Sequence, residues 1–170
     1  MPPKTIIDRM LRVNQAGEYG ATRIYAGQLA VFGRDPKITH MAEQEQHHLR
    51  LFNQLLIEHK VRPTLLQPIW HIGGFALGMT TALLGKKAAH ACTIAVETVI
   101  DRHYGKQLDQ LKDYDHATEI KTIISQCQQE ELEHKDMAIQ QGGEDTPLYP
   151  YLNVAIQTIS KAAIWLSSRI

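Results

Sequence analysis

Four stretches of the chain repeat their apolar residues at alternating spacings of three and four, the period of one face of an α-helix. The first stripe runs Ile7, Leu11, Asn14, Glu18, Ala21, Tyr25, Gln28 and Phe32, and the second Ile38, Met41, Glu45, His48, Phe52 and Leu55. A third runs Ile94, Glu97, Asp101, Tyr104, Leu108 and Leu111, and a fourth Ile120, Ile124, Cys127, Glu131, His134 and Ala138. Each stripe carries a glutamate, and two carry a histidine, where a core wants leucine. Gly33-Arg34-Asp35-Pro36 closes one helix and opens the next, with Asp35 as cap and Pro36 in the first turn. Gly142-Gly143 ends a later helix, and Pro147 and Pro150 lead into the last. The pattern predicts helices near 5–32, 36–59, 67–84, 88–112, 116–141 and 149–168, with no strand. That is an all-α class: a four-helix bundle in a single domain, 1–170, with a long helical crossover and an extra C-terminal helix.

The polar interruptions are themselves a pattern. Glu45 and His48, like Glu131 and His134, stand three residues apart, so on a helix each pair presents a carboxylate and an imidazole to one point. Lone glutamates, Glu18 and Glu97, precede the two pairs. Four carboxylates and two imidazoles are the ligand set of carboxylate-bridged di-iron and di-manganese sites in helical bundles. An ionised carboxylate buried alone costs several kcal/mol even after relaxation, so four in one core call for cations. A single Glu-x-x-His is common on solvated helix faces, and Glu43, His47, Glu130 and Glu133, which fall off the stripes, read that way.

The chain also repeats itself. Glu18, Arg23, Tyr25, Gln28 and Leu29 recur at the same offsets as Glu97, Arg102, Tyr104, Gln107 and Leu108, and each set is followed by its own Glu-x-x-His. Two helical hairpins related by a pseudo-twofold axis, each supplying three ligands, account for this.

Composition narrows the partners. At 170 residues and 44% hydrophobic, the chain can bury a core without staples. Lys+Arg and Asp+Glu balance at 18 each, which argues against nucleic acid. Cys92 and Cys127 lack metal-type spacing and read as core thiols in a reducing compartment. Of nine histidines only His48 and His134 have ligand-type partners; His40, His59, His71, His90 and His116 are expected at the surface or at helix ends. The N-terminus lacks the apolar stretch and cleavage site of a secretory signal, so export is not expected.

Residues 65–85 carry no formal charge, which gives the crossover a superficial likeness to a membrane span. Pro68, His71, Gly73, Gly74, Gly78 and Gly85 dilute it. Two readings stand level: a crossover packed on the bundle, or an interfacial helix lying in one leaflet. The run from Val154 to Leu166 either covers the same apolar surface or extends it.

Beyond the ligands, the chain resembles a known family in Gly17-Glu18-Tyr19-Gly20-Ala21, Arg23-Ile24-Tyr25-Ala26-Gly27-Gln28, Val61-Arg62-Pro63-Thr64 and Gly74-Phe75-Ala76-Leu77-Gly78. Thr81-Ala82-Leu83-Leu84-Gly85-Lys86, Ala91-Cys92-Thr93, Ala95-Val96-Glu97 and Glu130-Glu131-Leu132-Glu133-His134 add to the likeness. The family is the demethoxyubiquinone hydroxylase (Coq7) family, within the ferritin-like di-iron carboxylate superfamily. The resemblance covers nearly the whole chain and all six ligand positions. It implies a monooxygenase of ubiquinone biosynthesis that hydroxylates the unsubstituted ring position of a demethoxyubiquinone, 2-polyprenyl-3-methyl-6-methoxy-1,4-benzoquinol.

The resemblance further implies two iron ions per chain, O2 as co-substrate and NADH as electron donor. No Gly-rich dinucleotide fingerprint follows a strand, so contact with a nicotinamide would be transient or indirect. Glu45 and Glu131 would bridge the metals, Glu18 and Glu97 would be terminal, and His48 and His134 would serve one iron each. Tyr25 and Tyr104 stand as hydrogen-bond or electron-transfer groups, or equally as packed core tyrosines; Asp101 either orients a histidine or pairs with an arginine. A polyprenyl quinone as substrate implies a membrane surface: the cytoplasmic face of a bacterial inner membrane, or the matrix face in a mitochondrion. Partner proteins of the same pathway, or a homo-oligomer, fit this setting. No basic presequence precedes the domain, which points to a bacterial protein or a trimmed chain. Two other classes use parts of the same pattern: a ferritin-like ferroxidase or peroxide-reducing protein, and a metal-free lipid-binding or assembly protein.

Overall fold

The computed structural model describes residues 4–114 and 117–170, so the reading of His116 lies outside the described residues. Helices α1 (Lys4–Phe32), α2 (Pro36–Glu58), α3 (Gln67–Leu83), α4 (Lys86–Leu111), α5 (Thr118–Gln140) and α6 (Tyr149–Ser167) follow in order, with a 3-10 turn at Gly143–Asp145 before α6. No strand occurs among the described residues. The α1–α2 corner forms as its residues dictate. Gly33 takes a left-handed φ of 66°, and Asp35 Oδ1 accepts from the backbone N–H groups of Lys37 (3.1 Å) and Ile38 (3.3 Å). Lys86 Nζ reaches the other Asp35 oxygen at 2.8 Å, tying the start of α2 to that of α4. That bond, with the two backbone ones, holds the Asp35 carboxyl below the ordinary range despite partial desolvation.

Helices α1, α2, α4 and α5 form the bundle, a ferritin-like arrangement with α3 as the crossover. All six members of the α2 stripe and all six of the α5 stripe are buried. At one end Ile7, Leu11, Phe52, Leu55, Leu111, Ile120 and Ile124 pack together; at the other lie Tyr25, Ile38 and Met41, with Phe32 and Met137 against them. Between these apolar layers sit the glutamates and histidines. The glutamines of the internal repeat tie α1 to α4 on either side of that level: Gln107 of α4 exchanges two 2.8 Å bonds with Asn14 of α1, and Gln28 of α1 donates to the Ala89 carbonyl of α4.

The glycines of α3, which would weaken a helix standing alone, make it the closest neighbour of α1. A Cβ on Gly78 would lie 1.9 Å from the Ile24 carbonyl oxygen, and one on Gly27 would lie 2.2 Å from that of Phe75. The two backbones touch directly. Around that contact Tyr19 Oη lies 2.6 Å from His71 Nδ1, and the Arg23 guanidinium sits 5.3 Å from the centre of the Phe75 ring. Phe75 and Leu77 are therefore half-buried, and the outward face of α3 is carried by Ile69, Ile72 and Leu83. Helix α6 packs Ile156 against Cys92, Ala95 and Val96 and leaves Tyr151, Val154, Ile159 and Trp165 exposed. Among the described residues no helix is long and apolar enough to cross a membrane.

One expectation is corrected here. His90 is buried, not at the surface, because the 3-10 turn at Gly143–Asp145 lies directly on it: a Cβ on Gly143 would fall 2.9 Å from the His90 carbonyl carbon, in a stretch of α4 buried from residue 88 to 97. Burial lowers its affinity for a proton. His40 and His71 are exposed and His59 caps the end of α2, as the sequence suggested. Both cysteines are free and buried; burial pushes the Cys92 thiol up to about 12, which leaves it inert at neutral pH.

Candidate metal centre

Each bundle helix delivers its polar stripe residues to the same depth. Glu18 comes from α1, Glu45 and His48 from α2, Glu97 from α4, and Glu131 and His134 from α5; none is more than 3% exposed. Their side chains form two overlapping groups: Glu18, Glu45, His48 and Glu131, and Glu45, Glu97, Glu131 and His134. Within each group one ligand atom per residue lies inside 4.8 Å of the rest. Glu45 and Glu131 belong to both. Glu131 straddles the centre, with one oxygen 3.2 Å from His48 Nδ1 and the other 3.0 Å from His134 Nδ1. His48 Nδ1 also lies 3.4 Å from Glu18, and His134 Nδ1 lies 3.3 Å from Glu45. Both imidazoles thus turn Nδ1 inward.

Electrostatics within the cluster are uneven. Burial first, then the charges of Glu131 and Glu18, pushes the Glu45 carboxyl well above the ordinary range. Glu97 is raised likewise by burial and by Glu131 and Glu45. Glu131 resists the same desolvation, because the hydrogen bond from His134 and the charge of the nearby His48 imidazole pull its carboxyl down to about 2. Burial alone would deprotonate the two histidines, yet the facing carboxylates raise both above the usual imidazole range. The protein on its own therefore balances buried negative charge with protons.

That balance is incomplete. Both oxygens of Glu45, and Nδ1 of His48, have no hydrogen-bond partner although they are fully buried. Orphaned polar atoms in a fully buried cluster, two of them on a carboxylate shared by both groups, are what bound cations would satisfy. Oxygen and imidazole donors suit divalent first-row metals. The cluster is compatible with a metal site.

Tyr25 and Tyr104 occupy symmetric places, each reaching across to the other hairpin. Tyr104 Oη on α4 donates to Glu18 on α1, and Tyr25 Oη on α1 donates to Glu97 on α4 at 3.3 Å. Burial, reinforced by Glu97 for Tyr25 and by Glu18 for Tyr104, keeps both phenols protonated. They are hydrogen-bond donors to the lone glutamates and not mere packing. Asp101 fits neither expectation: its carboxylate accepts from Gln128 Nε2 at 2.7 Å, so it joins α4 to α5.

Two further residues belong to the site. Glu130 accepts from His48 Nε2 at 2.9 Å, and Gln44 Oε1 accepts from His134 Nε2 at 3.0 Å. Each directly precedes the glutamate of its own motif and serves the histidine of the other. Glu130 was expected to be a solvated flank; its side chain is only 21% exposed, and bonds from Gln126, His48 and Gln44 hold its carboxyl low against partial desolvation. The available signal was that the positions match in the repeat. Glu43, His47 and Glu133 are exposed, as expected.

A four-helix bundle with a crossover, carrying four glutamates and two histidines at mid-depth, defines a ferritin-like carboxylate–histidine protein. The family model described as "Ubiquinone biosynthesis protein COQ7" matches residues 5–167, and the chain belongs to that family. It is 49% identical over 172 residues to a protein of Rhodospirillum rubrum named 3-demethoxyubiquinol 3-hydroxylase, covering 99% of this chain and 80% of that one. A Mus musculus relative, named NADPH-dependent 3-demethoxyubiquinone 3-hydroxylase, mitochondrial, is 48% identical over 98% of this chain and 79% of its own. The 5-demethoxyubiquinone hydroxylase, mitochondrial, of Saccharomyces cerevisiae is 42% identical over 96% of this chain and 78% of its own.

Proposed function

We propose that this chain hydroxylates the ring of a demethoxyubiquinone in ubiquinone biosynthesis, as a monooxygenase built on two iron ions. The observation that carries the reading is the pair of overlapping ligand groups sharing Glu45 and Glu131. Those two carboxylates would bridge, Glu18 and Glu97 would be terminal, and His48 and His134 would bind one iron each through Nδ1. Bound there, iron would supply the means to activate O2 with two electrons and two protons, so that one oxygen enters the ring and the other leaves as water. Tyr25 and Tyr104 orient the lone carboxylates, and the apolar layers above and below exclude water. A reduced nicotinamide supplies the electrons: NADH as the sequence resemblance implies, or NADPH, which the names of several relatives carry.

An apolar cavity of about 230 Å³ lies between α1, α3, α4 and α6, lined by Gly17, Gly20, Trp70, Val96, Ile100 and Ile164 among others. Gly17 adjoins Glu18 and Val96 adjoins Glu97, so the cavity runs beside the ligand helices. Its volume is below the ~300–1,000 Å³ of ordinary small-molecule sites, so it suits a ring and the first part of a tail. The remaining polyprenyl chain would leave along the exposed apolar faces of α3 and α6, at a membrane surface: cytoplasmic in a bacterium, matrix-facing in a mitochondrion.

Supplied with a demethoxyubiquinone analogue, NADPH and oxygen, the iron-loaded protein is expected to yield a product one oxygen heavier. The label should come from 18O2 and not from water. Rapid Fe(II) oxidation with mineral release and no hydroxylated quinone would instead make the protein a ferroxidase.

The membrane part has its own test. Ile69→Glu with Ile72→Glu should weaken liposome association by about tenfold or more, since burying each side chain is worth roughly 1.5–3 kcal/mol. Metal content should not change. Undiminished liposome binding in this variant would remove the α3 face from the membrane contact.

A further inference from the structure

The two histidines of the centre are served unequally. His48 gives its Nε2 proton to Glu130, a carboxylate, whereas His134 gives its Nε2 proton to Gln44, a neutral amide. Gln44 can turn only one way: its Nε2 donates to Glu130 Oε2 at 3.3 Å, and a carboxylate can only accept, so Oε1 must face His134. Gln126 Nε2 fixes the other Glu130 oxygen at 3.1 Å. A continuous chain of bonds, His134 to Gln44 to Glu130 to His48, therefore runs around the outside of the cluster. It fixes Nε2 as the protonated nitrogen of both rings and leaves both Nδ1 atoms to the centre.

The internal repeat makes the difference sharper. Gln44 and Glu130 hold the same place ahead of Glu45 and Glu131, so the halves of the bundle match in their six ligand-type residues and part at this pair. An acceptor behind a ligating imidazole sets the ring's orientation and its basicity, and an anion raises that basicity more than an amide does. We propose that Gln44 and Glu130 are crossed positioning residues whose unequal charge makes the two metal positions inequivalent, the one at His48 being the more electron-rich. This rests on the two-metal reading of the ligands above.

The test uses the full chain, anaerobic titration with Fe(II), and Mössbauer spectra of the 57Fe-loaded protein. Wild type should bind two ions and show two distinct ferrous signals. Glu130→Gln keeps an acceptor of the same size and loses the charge; it should move one signal toward the other with iron content retained. Gln44→Leu removes the acceptor behind His134 and should perturb the other signal, weakening one of the two binding steps about tenfold or more. A purely structural role would alter both signals together or neither.

If Glu130→Gln leaves both signals unchanged, or if both variants shift the same one, the proposal fails. Should Gln44→Leu not fold, as judged by helix content in circular dichroism, Glu130→Gln decides alone. Failure of wild type to bind two ions would sink the two-metal reading itself.

Discussion

Glu45→Gln is expected to abolish binding at both metal positions and, in the metal-free protein, to raise thermal stability. The first effect follows from Glu45's membership of both ligand groups; losing a shared ligand should exceed the ~10–100-fold loss typical of residues one step further out. The second follows from its isolation. Both Glu45 oxygens are buried without a hydrogen-bond partner and face like charges, a penalty of about 1–3 kcal/mol that glutamine largely removes. In a chain of this size that corresponds to a rise in Tm of about 2–12 °C. Glu131→Ala should abolish metal binding equally and move Tm the other way, because Glu131 anchors both imidazoles.

The pH dependence of the metal-free protein separates the two residues by sign. Glu45 has a folded pKa above its unfolded value of 4.5, so between the two the folded state holds a proton that the unfolded chain has lost. Stability therefore falls as pH rises through that window, and Glu97 adds to the same slope. Glu131, depressed to about 2, contributes stability that is present above 4.5 and is lost as pH falls toward 2. Glu45→Gln should flatten the decline on the alkaline side, and Glu131→Ala the decline on the acid side. Thermal melts of the metal-free protein from pH 3 to 9 measure both; parallel curves for the two variants would mean that the cluster's charges are not distributed as described.

The bundle was legible in the sequence because each of its helices presents one continuous stripe to the core, and spacing alone assigns a stripe. Glu18, Glu45, His48, Glu97, Glu131 and His134 interrupt those stripes, so the same arithmetic that found the helices found the cluster. Gln44 and Glu130 escaped it because they sit about 100° around the helix from the seam, where a residue meets a neighbouring helix and periodicity says nothing. His90 escaped for a similar reason. What buries it is a turn more than fifty residues later in the chain, and no local pattern on α4 records that. Asp101 was on a stripe and still misread, since the partner that claims its carboxylate, Gln128, is itself an unremarkable glutamine on another helix. Spacing shows which face is inside; it does not show which polar groups meet there.

The crossover shows the converse: its composition left two readings level, and only the structure shows that its glycine face rests on α1. Gly78→Ala, an almost invisible change in sequence, is expected to be among the most damaging single substitutions in the chain. Its methyl would fall 1.9 Å from the Ile24 carbonyl oxygen, and the obstacle is backbone, which cannot rotate away. Either α3 moves off α1 or α1 bends, and overpacking of this kind costs about 3 kcal/mol or more. A loss of about 6–12 °C in Tm follows for a chain of this length. Gly73→Ala, five residues earlier, has nothing within 4 Å of the added carbon and should be neutral or gain about 0.5–1 kcal/mol from the lower backbone entropy of alanine. Because α1 also carries Glu18 and lines the apolar cavity with α3, Gly78→Ala should impair quinone turnover beyond its effect on stability, and Gly73→Ala should leave metal content intact. A helix resting only in a lipid leaflet would tolerate both alanines alike. Equal Tm values for the two variants would therefore detach α3 from the bundle and return it to the membrane.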